Sequence, residues 1–312
     1  MPVRLPPVTE HATRILLESV VDYAGLFPPA SLAMPAAVRN YAHYRASGAG
    51  WMLGRFVCPA SALELFSERA DPLLPRDAGA IPWRLTVTAS DDLDADLARI
   101  AAFNERHRVC FEECGAIVDA YEVRVTSAED ITRIDQRTPR ELVTYFELPL
   151  GQAPRLMPQV AGTGRRAKMR TGGITADAFP EAASIVAFLR AAIDHHVVAK
   201  ATAGLHHPVC GMYRLTYDTD APTGRMYGHL NVLLAAAVLA KGGDDATAIR
   251  LLGETDAQAF TIDDFQILWR DAGEPMALDR LLLQRVREQI LVSFGSCSFT
   301  EPVDELRTLG WT

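Results

Sequence analysis

RAKMRTGG (166–173) and VVAKATAG (197–204) flank the stretch FPEAASIVAFLRAAIDHH (179–196). Each outer run is short, carries one lysine near its centre and ends in glycine. The middle stretch spaces its apolar residues by three and four, the period of a helix face. The triplet therefore reads strand, helix, strand, a βαβ unit, and such a unit implies parallel pairing of its two strands. The same rhythm extends in both directions. Strand-like runs appear at WMLGRFV (51–57), WRLTVTA (83–89), AIVDAYEVRV (116–125), LVTYFELPL (142–150) and ILVSFGSCSF (290–299), with a poorly defined one in AQAFTIDDFQILW (257–269) counted as the seventh of eight. Their starts lie mostly 25 to 35 residues apart, about the length of one βα unit.

Eight such units over residues 49–312 match a (β/α)8 barrel, which takes about 250 residues. An open doubly wound sheet is the alternative. It is weakened because no G-x-G-x-x-G follows the first strand and no phosphate-binding G-x-x-x-x-G-K-[ST] occurs. Residues 1–48 show no strand pattern. Helical patterns at about 11–23 and 35–47 flank the Gly/Pro-rich DYAGLFPPASL (22–32), read as a lid or plug over one barrel end or as a plain connector. The expected organisation is a helical N-terminal extension, 1–48, followed by the barrel, 49–312.

Bulk properties narrow the partners. The 312 residues are 49% hydrophobic and 22% charged, with a net charge of −8. That balance argues against nucleic acid and anionic membranes. No signal-peptide core opens the chain, and its longest apolar run, LNVLLAAAVLA (230–240), is too short to span a bilayer. Five sparse cysteines (Cys58, Cys110, Cys114, Cys210 and Cys297) suggest reduced thiols and a cytoplasmic location. No cofactor motif is present, and a homo-oligomer stays open.

Side chains alternate faces along a strand. Arg84, Glu122, Arg124, Glu147, Lys168, Arg170 and Lys200 then share one face, while the other is apolar and suits packing under helices. In a barrel the charged face points inward, and catalytic groups gather at the C-terminal mouth. Five cations against two anions make a locally basic pocket for a small carboxylate or phosphate. The structural reading of the same residues is an ion-pair layer, such as Glu122–Arg124 or Glu147–Lys168.

Lys168 and Lys200 stand one βα unit apart, on neighbouring strands at similar height. Two ammonium groups about 6 Å apart, at an effective dielectric of about 20, repel by about 3 kcal/mol. That lowers one lysine pKa by about two units, and desolvation acts the same way. A neutral lysine attacks carbonyls to form an imine. The contexts AKMRTGGI and AKATAGLHHP resemble the class I aldolase TIM barrels of the deoxyribose-phosphate aldolase type, with K-x-S-T-G-like and K-x-x-G-G-like lysine motifs on adjacent strands. The resemblance covers residues 167–208. It implies that Lys200 or Lys168 is the Schiff-base nucleophile, the other its electrostatic partner, and Glu147 a nearby acid/base. Arg170 replaces a small residue of the pattern, and His206–His207 has no counterpart in it.

Other candidates surround this pair. Gly172 and Gly173 could offer backbone N–H groups to a phosphate. His206 and His207 are read as catalytic and substrate contacts in the imine scheme, or with Glu147 or Cys297 as ligands in a metal-dependent hydrolase or lyase. His229 fits an acid/base role or the core. Ser296 sits where it can touch substrate. Cys297 as nucleophile has no partner visible in the sequence. A non-catalytic small-anion-binding barrel completes the alternatives.

Overall fold

The computed structural model describes residues 12–77, 79–110, 113–271 and 275–312. Eight parallel strands close into a barrel: β1 (Val21–Tyr23), β2 (Leu53–Pro59), β3 (Trp83–Thr88), β4 (Ala116–Arg124), β5 (Val143–Glu147), β6 (Arg166–Arg170), β7 (Ala199–Thr202) and β8 (Leu291–Ser296). Each pairs with the next, and β1 closes the ring by pairing with both β2 and β8. Helices occupy the connections, for example Leu93–His107 between β3 and β4 and Ala182–Asp194 between β6 and β7. The fold is a (β/α)8 barrel.

Two expectations about strand identity are corrected. Residues 1–48 show no strand pattern in the sequence, yet Val21–Tyr23 is the first barrel strand. All three of its residues are buried, so no alternation marks it. The expected helix over 11–23 stops at Leu17, and residues 1–11 lie outside the described part. The run 257–269 is not a barrel strand. It contributes Phe260–Ile262 and Gln266–Trp269, which join Met276–Asp279 in a separate antiparallel sheet. Asp263 forces the reversal: its Oδ1 accepts from the backbone N–H groups of Phe265 and Gln266 at 2.7 and 2.9 Å. An aspartate that satisfies the following amides in this way favours a tight turn over a longer strand.

The connection from β7 to β8 is the long one. Besides that sheet it holds a hairpin (Gly211–Arg214 with Thr223–Met226) and the helix His229–Ala240, which is buried on all sides as its uniform apolarity requires. No helix among the described residues is long and apolar enough to cross a membrane.

The strand faces divide as alternation requires. Leu85, Val87, Tyr121, Phe146, Ala167, Met169, Ala199 and Ala201 are fully buried in the apolar core. Burying side chains of the larger type contributes roughly 1.5–3 kcal/mol each. The opposite face fills the barrel interior with charge. Asp119 is an exception made by a bulge. The pairing of β3 with β4 skips it, since Leu85 opposes Val118 and Thr86 opposes Ala120. The bulge re-aims its carboxylate to Arg55 Nε at 2.7 Å and Arg84 Nε at 2.6 Å.

Candidate functional site

An ion ladder climbs the barrel interior from β1 to the mouth. Lys200 Nζ contacts Asp22 Oδ2 at 2.5 Å and Glu122 Oε1 at 2.6 Å. Lys168 Nζ contacts Glu122 Oε2 at 2.5 Å and Glu147 Oε2 at 2.8 Å. Glu147 Oε1 then accepts from Arg124 Nε at 3.0 Å and faces Arg170 Nε at 3.7 Å. Strand register builds the ladder, because Glu147, Lys168 and Lys200 oppose one another across β5, β6 and β7. Side-chain exposure rises along it, from 1% at Lys200 to 7% at Lys168 and 75% at Arg124.

Asp22 is the member the sequence reading missed as a site residue. Its Oδ1 accepts from Arg55 N at 2.8 Å and its Oδ2 from Ser293 Oγ at 2.9 Å, which fixes the carboxylate against Lys200. Neither contact has a local sequence signal, because both partners come from other strands.

The expected direction of the lysine shift is also corrected. Burial pushes Lys200 down, but Asp22 and Glu122 together outweigh it, and its pKa lies above the ordinary lysine value. Repulsion between two lysines would dominate only without the carboxylate between them. Glu122 is fixed as an anion in turn. Burial raises it, yet Lys168 and Lys200 bring it down to about 2. Glu147 follows the same balance: burial raises it, and Lys168, Arg170 and Arg124 lower it further. From Asp22 to the mouth, three carboxylates face four cations, a formal surplus of one positive charge.

Arg124 and Arg170 stand at the mouth beside Glu147 and line a cavity of about 320 Å³ with Leu148 and Leu150. Arg84 does not join them. It is the second residue of β3, four positions before the Thr88 that opposes Glu122, about 13 Å along the strand from the Glu122 level. There it pairs with Asp119.

The loop after β6 packs tightly against the loop after β7. A Cβ on Gly172 would meet the Phe179 ring at 2.5 Å, and one on Gly173 would meet Ala178 Cβ at 2.6 Å. Gly204 has φ +74° and faces the same Phe179 ring. Close approach explains these glycines without a ligand. Ser296 is buried, and its Oγ accepts from Ser298 N at 3.3 Å.

The two histidines diverge. His206 Nδ1 is 2.9 Å from Glu301 Oε2, while His207 Nδ1 is 2.6 Å from Glu305 Oε1 and its ring stacks on Tyr213. Glu147 is engaged by Lys168 and the two arginines. The metal-ligand set His206, His207 and Glu147 is therefore not assembled, and among the described residues no three His, Cys, Asp or Glu side chains are arranged to hold a metal ion. His229 is fully buried against Phe294, and burial drives its pKa down to about 3. It is a core residue, not an acid/base at this site. The Cys110 and Cys114 side chains lie outside the described part.

No family model matches the chain, and no curated protein matches it. Among solved structures, a deoxyribose phosphate aldolase from Aeropyrum pernix, reported as a tetramer, aligns over 97% of this chain and 100% of its own. The identity is 12% and the TM-score 0.35. The barrel rests on its own strand pairing and not on that likeness.

Proposed function

We propose that this barrel is an aldolase-like lyase that binds a small anionic carbonyl compound and forms an imine on Lys168. The observation that carries the reading is the setting of Lys168: it is the more exposed lysine of the pair, 7% against 1%, held between two carboxylates, with two guanidinium groups beyond Glu147. Lys200 suits the second role. It is enclosed, paired twice and charged, so it fixes Glu122 and supplies positive potential rather than a nucleophile.

Arg124 and Arg170 bind the substrate carboxylate or phosphate and orient its carbonyl carbon toward Lys168. The amine adds to that carbon, with a proton passing to Glu147. The carbinolamine loses its hydroxyl as water, taking the proton back from Glu147. The resulting iminium draws in the electron pair of the adjacent carbon–carbon bond. One fragment leaves as a carbonyl compound as its hydroxyl proton passes to Glu147, and the other stays as an enamine until that proton returns to its carbon and water hydrolyses the imine to free Lys168.

Borohydride reduction in the presence of oxo-acids, sugar phosphates and small aldehydes between pH 6 and 9 tests this. A reduced adduct is expected on Lys168, and Lys168→Met abolishes it. An adduct on Lys200 would reverse the two lysine roles, and no adduct with any carbonyl ligand would remove the imine. A second reading, a non-catalytic anion-binding barrel, is favoured by the carboxylate partners that both lysines already have. It requires a ligand that binds at Arg124 and Arg170 and is never turned over.

A further inference from the structure

A second group of reactive side chains lies away from the ladder, where the loops after β7 and β8 meet. Cys297 directly follows β8. Its Sγ is 3.9 Å from His206 Nε2, and His206 Nδ1 is 2.9 Å from Glu301 Oε2. The Tyr217 hydroxyl donates to Glu301 Oε2 at 2.9 Å and stands 3.6 Å from the thiol. Thiol, imidazole and carboxylate thus form a line, with the imidazole held by its far nitrogen, the arrangement that activates a sulfur nucleophile. Cys297 and His206 are both more than nine-tenths buried.

The imidazole supports this arrangement. Burial lowers the His206 pKa, but its bonds to Cys297 and Glu301 outweigh that and bring it up to about 9, so an imidazolium faces the sulfur. His206, Tyr217 and Glu301 also line a half-open cavity of about 210 Å³ with Pro29, Gly173 and Leu215; Cys297 is not in its lining and meets it only through His206 and Tyr217. That is below the roughly 300–1,000 Å³ of drug-sized sites, a size that suits only a small substrate.

We infer that Cys297, His206 and Glu301 form a thiol acyl-transfer centre that hydrolyses small esters or thioesters. The Cys297 sulfur attacks the acyl carbon and a carbon–sulfur bond forms. The bond to the leaving oxygen or sulfur breaks, and the leaving group takes the proton of His206 Nε2. Neutral His206 then removes a proton from water as the water oxygen attacks the acyl-cysteine. The acid departs, and the thiolate and protonated imidazole are restored. Glu301 keeps the ring oriented throughout.

The probe is p-nitrophenyl acetate with the intact protein, acid-quenched and mapped by peptide mass spectrometry. One equivalent of rapid nitrophenolate release and an acetyl group on Cys297 are expected. His206→Asn should slow acetylation by about 100-fold, the usual weight of a positioned base, and Cys297→Ala should abolish the burst. A second measurement needs no variant: iodoacetamide should label Cys297 faster in the native protein than in urea at the same pH. Native labelling no faster than unfolded, acetylation undiminished in a folded His206→Asn protein, or acetyl found on lysine in place of Cys297 would each overturn the assignment. The borohydride result at Lys168 is read separately and stands or falls alone.

Discussion

Replacing Glu122 by glutamine removes one negative charge and keeps the side-chain shape. In the native barrel that carboxylate touches two ammonium groups at 2.5 and 2.6 Å, and all three side chains are less than a tenth exposed. Each attraction, taken between charge centres about 3.5 Å apart at an effective dielectric of about 20, is worth about 5 kcal/mol. Relief of the carboxylate's own desolvation returns a large part of that sum. The substitution also leaves the repulsion of about 3 kcal/mol between Lys168 and Lys200, present in both proteins, without an anion to offset it. The net loss should match that for removing one partner of a buried ion pair, about 3–5 kcal/mol. Urea denaturation at pH 7 measures it as a shift in midpoint at constant slope. Repeating the titration near pH 10 should shrink the loss, since a lysine relieved of its anion gives up its proton more readily. A loss below about 1 kcal/mol at pH 7, or one independent of pH, would refute the view that Glu122 separates two charged lysines.

Other outcomes follow from the same contacts. Glu122 is held at about 2 against an ordinary value of 4.5, so its contribution is fully present above pH 4.5 and drains away as pH falls toward 2; it amounts to roughly 3 kcal/mol, and midpoints measured from pH 6 to pH 2 should show that decline. His206 has the reverse sign: raised from 6.5 to about 9, it stabilises fully below 6.5 and loses that effect as pH rises through 9, which denaturation between pH 6 and 10 should reveal. Arg165 is buried and reaches Asp135 and the carbonyls of Thr138, Pro139 and Leu142; Arg165→Lys keeps the charge but loses the fork, and should cost about 2–4 kcal/mol by calorimetry. Gly172→Ala drives a methyl into the Phe179 ring and should cost about 1–3 kcal/mol, with Phe179→Ala in the same chain removing most of that increment.

Much of the barrel was legible because it depends on periodicity. The runs that became β2 to β7, and β8, announce themselves by alternation, and so does the shared inner face of Glu122, Glu147, Lys168 and Lys200. Apart from the run 257–269, which its own Asp263 turns back, the misreadings share one physical origin. Val21–Tyr23 is too short to alternate, and both its edges are paired by strands distant in sequence. Asp119 faces inward only because of a bulge, which shifts register without a local marker. The sign of the Lys200 shift depended on Asp22, which lies on the unrecognised strand. Cys297 lacked a visible partner because His206, 91 positions away, meets it only through the pairing of β7 with β8. In each case the deciding neighbour is remote along the chain, where local patterns carry no information.

Ring closure and the charge state of the interior are consequently a single event. Until β1 docks between β2 and β8, Lys200 lacks one of its two anions and the ladder holds two surplus positive charges. The carboxylate of Asp22 works as a keystone: its arrival seals the last seam of the wall and balances the charge inside it. A chain whose first strand has come loose should therefore keep most of its helices yet carry a disordered charge lattice, so that loss of the site reports an open barrel before any bulk measure of folding does.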